Sequence, residues 1–242
     1  MTIPLTVASD CEHLIGRYGR GMPLALVTGA ARSNSIAAGI VPRLEADGWD
    51  VVTSDFDTGE YPCDLSSPTA PTALIEQITS ERGTIGGLVL SHAHGVESGM
   101  LDTTAEAFDQ HVAVNARASL LLIAAFARQV GSDGGAVVAF TSDHTTGNLA
   151  YGASKGALDR IVISAARELG PKGISANVVN PGPIDTGWMD DETRDAMTTY
   201  RPLGRPGTPR DIAGITAFLL SDERRWISGQ LLRTDGGFSA QF

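Results

Sequence analysis

Short apolar runs alternate with longer segments of helical periodicity along most of this chain. Seven runs have the length and composition of buried strands, at residues 24–28, 49–54, 61–65, 87–90, 135–140, 175–180 and 230–234. Helical patterns occupy residues 36–41, 72–82, 108–128, 151–169 and 212–220. Strands that alternate with helices pair in parallel. The pattern predicts an α/β fold with a doubly wound sheet of about seven parallel strands and helices on both faces.

The first strand ends in a glycine turn that leads into a helix. Gly29 follows the strand directly, and Ser33 and Ser35 stand where further turn glycines would be expected. A strand, a glycine turn and a helix N-terminus together bind the pyrophosphate of a dinucleotide. The turn therefore predicts a Rossmann-type site, although the full G-x-G-x-x-G spacing is absent.

An acidic residue ends the second strand. Asp55 lies 26 residues beyond Gly29, where a carboxylate can accept hydrogen bonds from the adenosine ribose and repel a 2′-phosphate. The alternative is a solvated turn aspartate. Arg32 in the glycine turn could pair with a 2′-phosphate instead. We predict NAD as the cofactor, with NADP as the alternative.

Candidate catalytic groups cluster around residue 150. On a helix, Tyr151 and Lys155 share one face, and an ammonium one turn away lowers the pKa of a phenol. Tyr151 could then act as a general acid/base, while Ser142, at the end of the fifth predicted strand, orients a carbonyl or alcohol. The pair alone is weak evidence, because Tyr-x-x-x-Lys is frequent on helices. Thr141 and Thr145 are the rival hydroxyls.

Three further polar residues need an explanation. Asn115 lies in an apolar helical stretch, where a buried amide must be hydrogen-bonded, and by itself this is a core amide. His92 and His94 could suggest a metal, but they lack an obvious third ligand, although Asp143 and His144 lie further along the chain. We predict no metal and interpret both histidines as facing the cofactor.

Composition narrows the function further. The 242 residues carry a net charge of -10, which argues against nucleic-acid and anionic-membrane partners. The apolar runs fall short of the roughly 18–20 residues of a membrane span, and the N-terminus does not resemble a signal peptide. Two cysteines, Cys11 and Cys63, indicate reduced thiols. We predict a cytoplasmic protein with a single domain over residues 1–242.

Two segments fall outside the regular alternation. Residues 1–22 precede the first strand and form an N-terminal extension of unassigned role. Residues 184–207 are polar with interspersed large side chains, as in a mobile flap over a substrate site. Those side chains are Trp188, Met189, Met197 and Tyr200.

In this order and spacing, the motifs resemble the short-chain dehydrogenase/reductase family over roughly residues 24–240. They are Thr28-Gly29-Ala30, Asp55, Asp64-Leu65, Val114-Asn115-Ala116, Ser142 with Tyr151 and Lys155, and Pro181-Gly182-Pro183-Ile184-Asp185-Thr186. The segments 202–209, 227–230 and 235–237 are similar to 3-oxoacyl-carrier-protein reductases.

The resemblance implies hydride transfer between nicotinamide and a carbonyl or secondary alcohol. Tyr151 would exchange the proton, Lys155 would lower its pKa and hold the nicotinamide ribose, and Ser142 would bind the substrate oxygen. Asn115 would keep a water behind Lys155 for proton relay. The implied oligomer is a homotetramer or a homodimer. The implied cofactor-binding residues are Gly29, Arg32, Ser35, Ile36, Asp55, Asp64, Leu65, Ala93, Tyr151, Lys155, Pro181, Gly182, Ile184 and Thr186.

Three departures from the family pattern keep alternatives open. The Gly29-x5-Ser35 turn is similar to divergent enoyl (C=C) reductases, but the spacing of Tyr151 and Lys155 argues against that activity. Residues 91–94, Ser-His-Ala-His, replace Asn-Asn-Ala-Gly, and the segment from Ser142 to Tyr151 is short for the family. A non-catalytic dinucleotide-binding or sensing protein is a second alternative, which would not need the four catalytic residues.

Overall fold

A computed structural model describes residues 22–144, 146–187, 189–199, 202–224 and 226–240. The predictions for residues 1–21, Thr145, Trp188 and Tyr200 lie outside the described residues, as does the Met197 side chain.

One parallel sheet organises the described part of the chain. Its strand order is β2-β1-β3-β4-β5-β6, with every neighbouring pair parallel. The doubly wound α/β prediction is confirmed, with six strands among the described residues instead of about seven. The strands are β1 (Leu24–Thr28), β2 (Asp50–Ser54), β3 (Ile85–Leu90), β4 (Gly135–Phe140), β5 (Ile174–Asn180) and β6 (Leu231–Arg233).

The predicted strand at residues 61–65 is wrong. The backbone N–H groups of Tyr61 and Cys63 donate to the carbonyls of Thr53 and Asp55, at 3.0 and 2.7 Å. These bonds turn the segment back along the end of β2. Pro62 has no N–H to donate to a strand ladder. The segment is therefore a loop at the carboxyl edge of the sheet.

Helices cover both faces of the sheet and extend most of the predicted ones by a few residues. Residues 105–129 form one continuous helical rod with a π-helical turn, Val112–Arg117, in its middle. The helices are α1 (Ile36–Ala46), α2 (Ala70–Arg82), α3 (Ala105–His111), α4 (Ala118–Gln129), α5 (Leu149–Leu169), α6 (Asp191–Thr199) and α7 (Pro209–Leu220).

Two apolar cores hold these layers together. Side chains of α2, α4 and α5, such as Ile78, Phe126 and Leu158, pack on one face of the sheet. Ile40 of α1 and Leu219 of α7 pack on the other. Burying both faces explains why the strands are continuous apolar runs without alternation.

Within the described part of the chain, one helical rod is long and apolar enough to cross a membrane by length and composition. It is Ala105–Gln129, with a mean hydropathy of 1.2, and 61% of its apolar window is buried inside the fold. The core helix of a globular protein has these properties, so they are weak grounds for a membrane span.

Candidate active site

A cavity of about 650 Å³ opens where the strand order reverses, between the carboxyl ends of β1 and β3. Open α/β sheets bind ligands at this switch point, and ligand pockets usually measure roughly 300–1,000 Å³. Nine of the predicted cofactor residues line it: Gly29, Arg32, Ser35, Ile36, Asp55, Asp64, Leu65, Ala93 and Thr186. Pro181, Gly182, Ile184, Tyr151 and Lys155 do not line it.

Gly29 allows the close approach of β1 and β3 at the cavity floor. Its φ is 75°, and a Cβ atom there would lie 2.6 Å from the backbone N of His92 and from the carbonyl of Ser91. No side chain can occupy this space, and L-residues rarely adopt this φ. The glycine therefore lets the turn pack directly against the end of β3.

The helix N-terminus of α1 faces the same cavity. Ser35 is the N-cap, and its hydroxyl accepts the N–H of Ala38 at 3.3 Å. The remaining N–H groups and the positive end of the helix dipole suit an anion such as a pyrophosphate. The serine thus keeps the helix start in place despite the missing glycines.

Asp55 is fixed at the opposite end of the glycine turn. One carboxylate oxygen accepts the N–H of Ala31 and the other the N–H of Phe56, each at 2.7 Å. A carboxylate has about four lone-pair sites, so two remain for ligand hydroxyls. Asp55 lines the cavity, and its contact with an adenosine ribose stays a prediction.

Tyr151 and Lys155 lie one turn apart near the start of α5. The Lys155 ammonium is 5.7 Å from the centroid of the Tyr151 ring and donates to the carbonyl of Phe140 at 2.8 Å. Lys155 is 2% exposed, and burial lowers its pKa to about 8. An ammonium has three N–H donors, so two remain for a ligand.

The pKa of Tyr151 shifts in the direction opposite to the one predicted from Lys155. Burial of the phenol raises it. Desolvation disfavours the charged phenolate, and it outweighs an ammonium that already bonds Phe140. The lysine alone therefore does not produce the lowered pKa expected from the sequence.

In the loop after β4, the Ser142 side chain is partly exposed and the Thr141 side chain is buried. The Thr141 hydroxyl is buried and donates to the backbone carbonyl of Lys155 at 3.4 Å. Ser142 is partly exposed, and its oxygen accepts the N–H of His144 at 3.2 Å, which leaves the hydroxyl proton free to be donated. Asp143 pairs with Arg233 of β6 at 2.8 Å and ties this short loop to the sheet edge.

Asn115 lies in the π-helical turn, fully buried. Its side-chain oxygen accepts the N–H of His94 at 2.7 Å, and its amide donates to the carbonyl of His94 and to the Ser154 hydroxyl, each at 2.9 Å. Both amide N–H groups are therefore used within the protein. π-helical turns are frequent at functional sites. Through Asn115, this one connects His94, which lines the cavity, to Ser154 of α5.

His92 joins the first strand to the π-helical turn, which the sequence did not predict. Its Nε2 lies 3.2 Å from the carbonyl of Val114, and its Nδ1 lies 2.7 Å from the Thr28 hydroxyl. Because a carbonyl only accepts, the proton is assigned to Nε2, and Nδ1 accepts from Thr28. The only available signal was that Thr28 and His92 lie at the ends of neighbouring strands.

Neutral His92 makes the fold sensitive to acid. Burial lowers the pKa of His92 from 6.5 to about 3. The unfolded chain therefore binds more protons below about pH 6.5, so this contribution to stability is complete above that pH and is lost as the pH falls toward about 3. Between about pH 7 and pH 5, wild type should lose about 2 kcal/mol more free energy of unfolding than His92→Asn. Urea unfolding at both pH values measures the difference.

A histidine outside this network serves as the control. His144 is exposed, so His144→Asn should follow the wild-type acid response. If wild type and His92→Asn lose the same free energy of unfolding between pH 7 and pH 5, the assignment of a buried neutral imidazole to His92 is contradicted.

No group of three His, Cys, Asp or Glu side chains within the described ranges could hold a metal ion. The prediction of no metal therefore stays a prediction.

The predicted flap is joined at its base and touches the glycine turn. Asp185 donates its N–H to the carbonyl of Gly207 at 2.9 Å, and its carboxylate accepts from Arg194 of α6 at 2.9 Å. Gly187 lies against Asn34, because a Cβ atom on it would be 2.1 Å from the Asn34 Nδ2. The segment thus contacts the glycine turn at Asn34, while its mobility stays a prediction.

The fold and cavity define a protein of the dinucleotide-binding α/β class, and comparisons with known proteins identify the family. A family model described as Enoyl-(Acyl carrier protein) reductase matches residues 29–239. The chain is 34% identical over 241 residues to the uncharacterised oxidoreductase YjdA of Bacillus subtilis (strain 168), covering 89% of this chain and 96% of YjdA. It is 31% identical over 246 residues to the short-chain dehydrogenase/reductase eriH of Hericium erinaceus, covering 88% and 96%.

A solved structure agrees with these relatives. The chain matches the crystal structure of a blue fluorescent protein from a metagenomic library in complex with NADPH, with a TM-score of 0.81 and 28% identity, covering 90% of this chain and 98% of that one. The chain belongs to the short-chain dehydrogenase/reductase family, a family of oxidoreductases. The resemblance stated from the sequence motifs is confirmed.

Proposed function

We propose that this chain is an NAD(P)-dependent oxidoreductase that interconverts a carbonyl and a secondary alcohol, with Tyr151 as general acid/base. The observation that carries the proposal is the pairing of Tyr151 with buried Lys155 on α5, with the free Ser142 hydroxyl at the end of β4. Binding alone does not need this set of groups, which argues against a purely sensing protein.

The cavity suits the pyrophosphate and the adenosine ribose of a dinucleotide. The N-terminus of α1, beside the glycine turn that lines the cavity, suits a pyrophosphate, and the fixed carboxylate of Asp55 suits ribose hydroxyls. The related blue fluorescent protein holds NADPH, which supports the same class of ligand here. When bound, the nicotinamide supplies or takes up the hydride.

Side chains of this protein bind the substrate oxygen and transfer the proton. Ser142 donates a hydrogen bond to the carbonyl oxygen, and Tyr151 donates the proton that the oxygen needs as the alcohol forms. Lys155 orients the cofactor ribose with its two remaining N–H groups and favours the phenolate after transfer. Asn115 hydrogen-bonds the backbone of His94 in the cavity wall. Its role in a water relay stays part of the proposal.

The activity is tested with purified protein, NADH or NADPH, and a panel of ketones and aldehydes, by following loss of the reduced nicotinamide. Turnover of a carbonyl substrate supports the proposal. Intact dinucleotide binding with no turnover over a broad panel would favour the sensing protein.

An enoyl reductase is the second candidate, because the matching family model carries that description and the Gly29-x5-Ser35 turn is similar to such enzymes. The four-residue spacing of Tyr151 and Lys155 argues against it. An α,β-unsaturated thioester in the same panel separates the two activities: reduction of this substrate alone would favour the enoyl reductase.

We propose NAD as the preferred cofactor. The Asp55 carboxylate is fixed by Ala31 and Phe56, so a 2′-phosphate would meet a negative charge that cannot easily move away. Arg32 is exposed, and pairing with a phosphate would have to overcome that repulsion.

Cofactor preference gives a measurable ratio. Wild type should show a higher kcat/KM with NADH than with NADPH, and Asp55→Asn should reduce that ratio by about tenfold, which corresponds to about 1.4 kcal/mol. Asp57→Asn, at an exposed position two residues on, is the control and should keep the wild-type ratio. A marked NADPH preference in wild type would reverse the assignment.

We also propose a cytoplasmic homotetramer or homodimer that acts on a small-molecule substrate. Phe108 and Leu120, on the helical rod that carries Asn115, are 38% and 48% exposed, and Leu231 on β6 is 40% exposed. Apolar side chains at these places suit contacts between copies of the chain.

A further inference from the structure

His94 stands where the family pattern has a glycine, and its imidazole lines the dinucleotide cavity. Asn115 fixes its backbone by bonding both its N–H and its carbonyl. The ring packs edge-on against His111, with centroids 4.5 Å apart and an angle of 66° between planes. Asn115 thus holds the backbone of His94, and His111 packs against its ring.

The two stacked imidazoles differ in their hydrogen bonding. In His111, Nδ1 lies 2.6 Å from the carbonyl of Ala107, and Nε2 accepts the N–H of Val96 at 3.0 Å. Neither ring nitrogen of His94 bonds any of the described residues. His94 therefore presents an unused donor and an unused acceptor beside the cavity, since a neutral imidazole has one of each.

The neighbouring residue places His94 toward the catalytic end of the cavity. A Cβ atom on Gly95 would lie 3.6 Å from Cδ2 of the Tyr151 ring, which is ordinary van der Waals contact. Asp55, which we assign to the adenosine ribose, comes from a different strand. Ser142 and Tyr151 do not line this cavity, so its occupant at His94 is cofactor in preference to substrate.

We propose that the His94 imidazole hydrogen-bonds a polar group, a ribose hydroxyl or the carboxamide, on the nicotinamide side of the bound dinucleotide. This inference rests on the proposed function, because it assigns the cavity to NAD(P). The side chain thereby adds a contact that a glycine cannot make.

Direct binding to the 242-residue chain tests the contact without catalysis. Isothermal titration should show that His94→Leu raises the Kd for NADH about three- to tenfold, as expected for one lost hydrogen bond. ADP lacks the nicotinamide half, so its Kd should stay within about twofold of wild type. His94→Gln keeps a donor and an acceptor and should recover most of the NADH affinity.

His144→Leu is the matched histidine control outside the cavity and should leave the Kd for NADH unchanged. An unchanged NADH affinity in His94→Leu would overturn the contact, as would an equal loss of NADH and ADP affinity, which indicates a distorted cavity. Equally weak NADH binding by the Gln and Leu variants would overturn the hydrogen-bonding role. If wild type binds neither NADH nor NADPH, the proposed function fails as well.

Discussion

Replacing Tyr151 with phenylalanine is expected to lower kcat by about 10²–10⁴-fold, the range for loss of a general acid/base. The Kd for NADH should stay within about twofold of wild type, because the phenol does not line the dinucleotide cavity. Steady-state kinetics with the best carbonyl substrate, together with titration of NADH, separate the two quantities.

Tyr61→Phe is a matched control for the loss of a buried phenol. Tyr61 is buried, and its hydroxyl donates to Glu81 at 2.9 Å. This variant should lose stability while retaining kcat. Wild-type-like turnover in Tyr151→Phe would remove Tyr151 from the mechanism.

Gly29→Ala should lower the free energy of unfolding by about 2–4 kcal/mol. The new Cβ atom would lie 2.6 Å from backbone atoms of Ser91 and His92, and the positive φ of 75° adds strain. Backbone atoms cannot move aside as a flexible side chain can, so β1 and β3 would have to separate at the cavity floor. Urea unfolding measures the loss.

Gly48→Ala is a control that introduces the backbone strain of a positive φ without a steric clash of the new Cβ atom. Gly48 also has a positive φ, 88°, but nothing lies within 4 Å of a Cβ built there. This control should lose only about 1 kcal/mol. Equal losses in the two variants would show that crowding at Gly29 does not matter.

The sequence predicted the sheet best where strands are buried on both faces. Residues 24–28 and 135–140 were predicted with the observed bounds, because each is an apolar run next to a glycine. Residues 61–65 have a similar composition, yet Tyr61 and Cys63 bond the end of β2 and form a loop. Local composition cannot distinguish a strand from a loop whose partners are set by tertiary contacts.

In the candidate site, too, the sequence predicted features set by local spacing and missed those set by tertiary contacts. The glycine turn, Asp55 and the Tyr151–Lys155 pair follow recognisable spacings, and the first two line the same cavity. The link between His92 and Thr28 joins residues 64 positions apart, and no spacing rule indicates it. The raised pKa of Tyr151 depends on burial, which one-dimensional spacing does not report.

Hydride transfer is tested most directly with NADH that carries deuterium at the transferring position of C4. After incubation with the enzyme and a ketone that it reduces, mass spectrometry of the alcohol should find the deuterium on the carbinol carbon, and Tyr151→Phe should form almost none of this product. Deuterium on the carbon skeleton of an unsaturated thioester, with no labelled alcohol from any ketone, would contradict the carbonyl–alcohol account, and so would NADH binding with no transfer to any substrate.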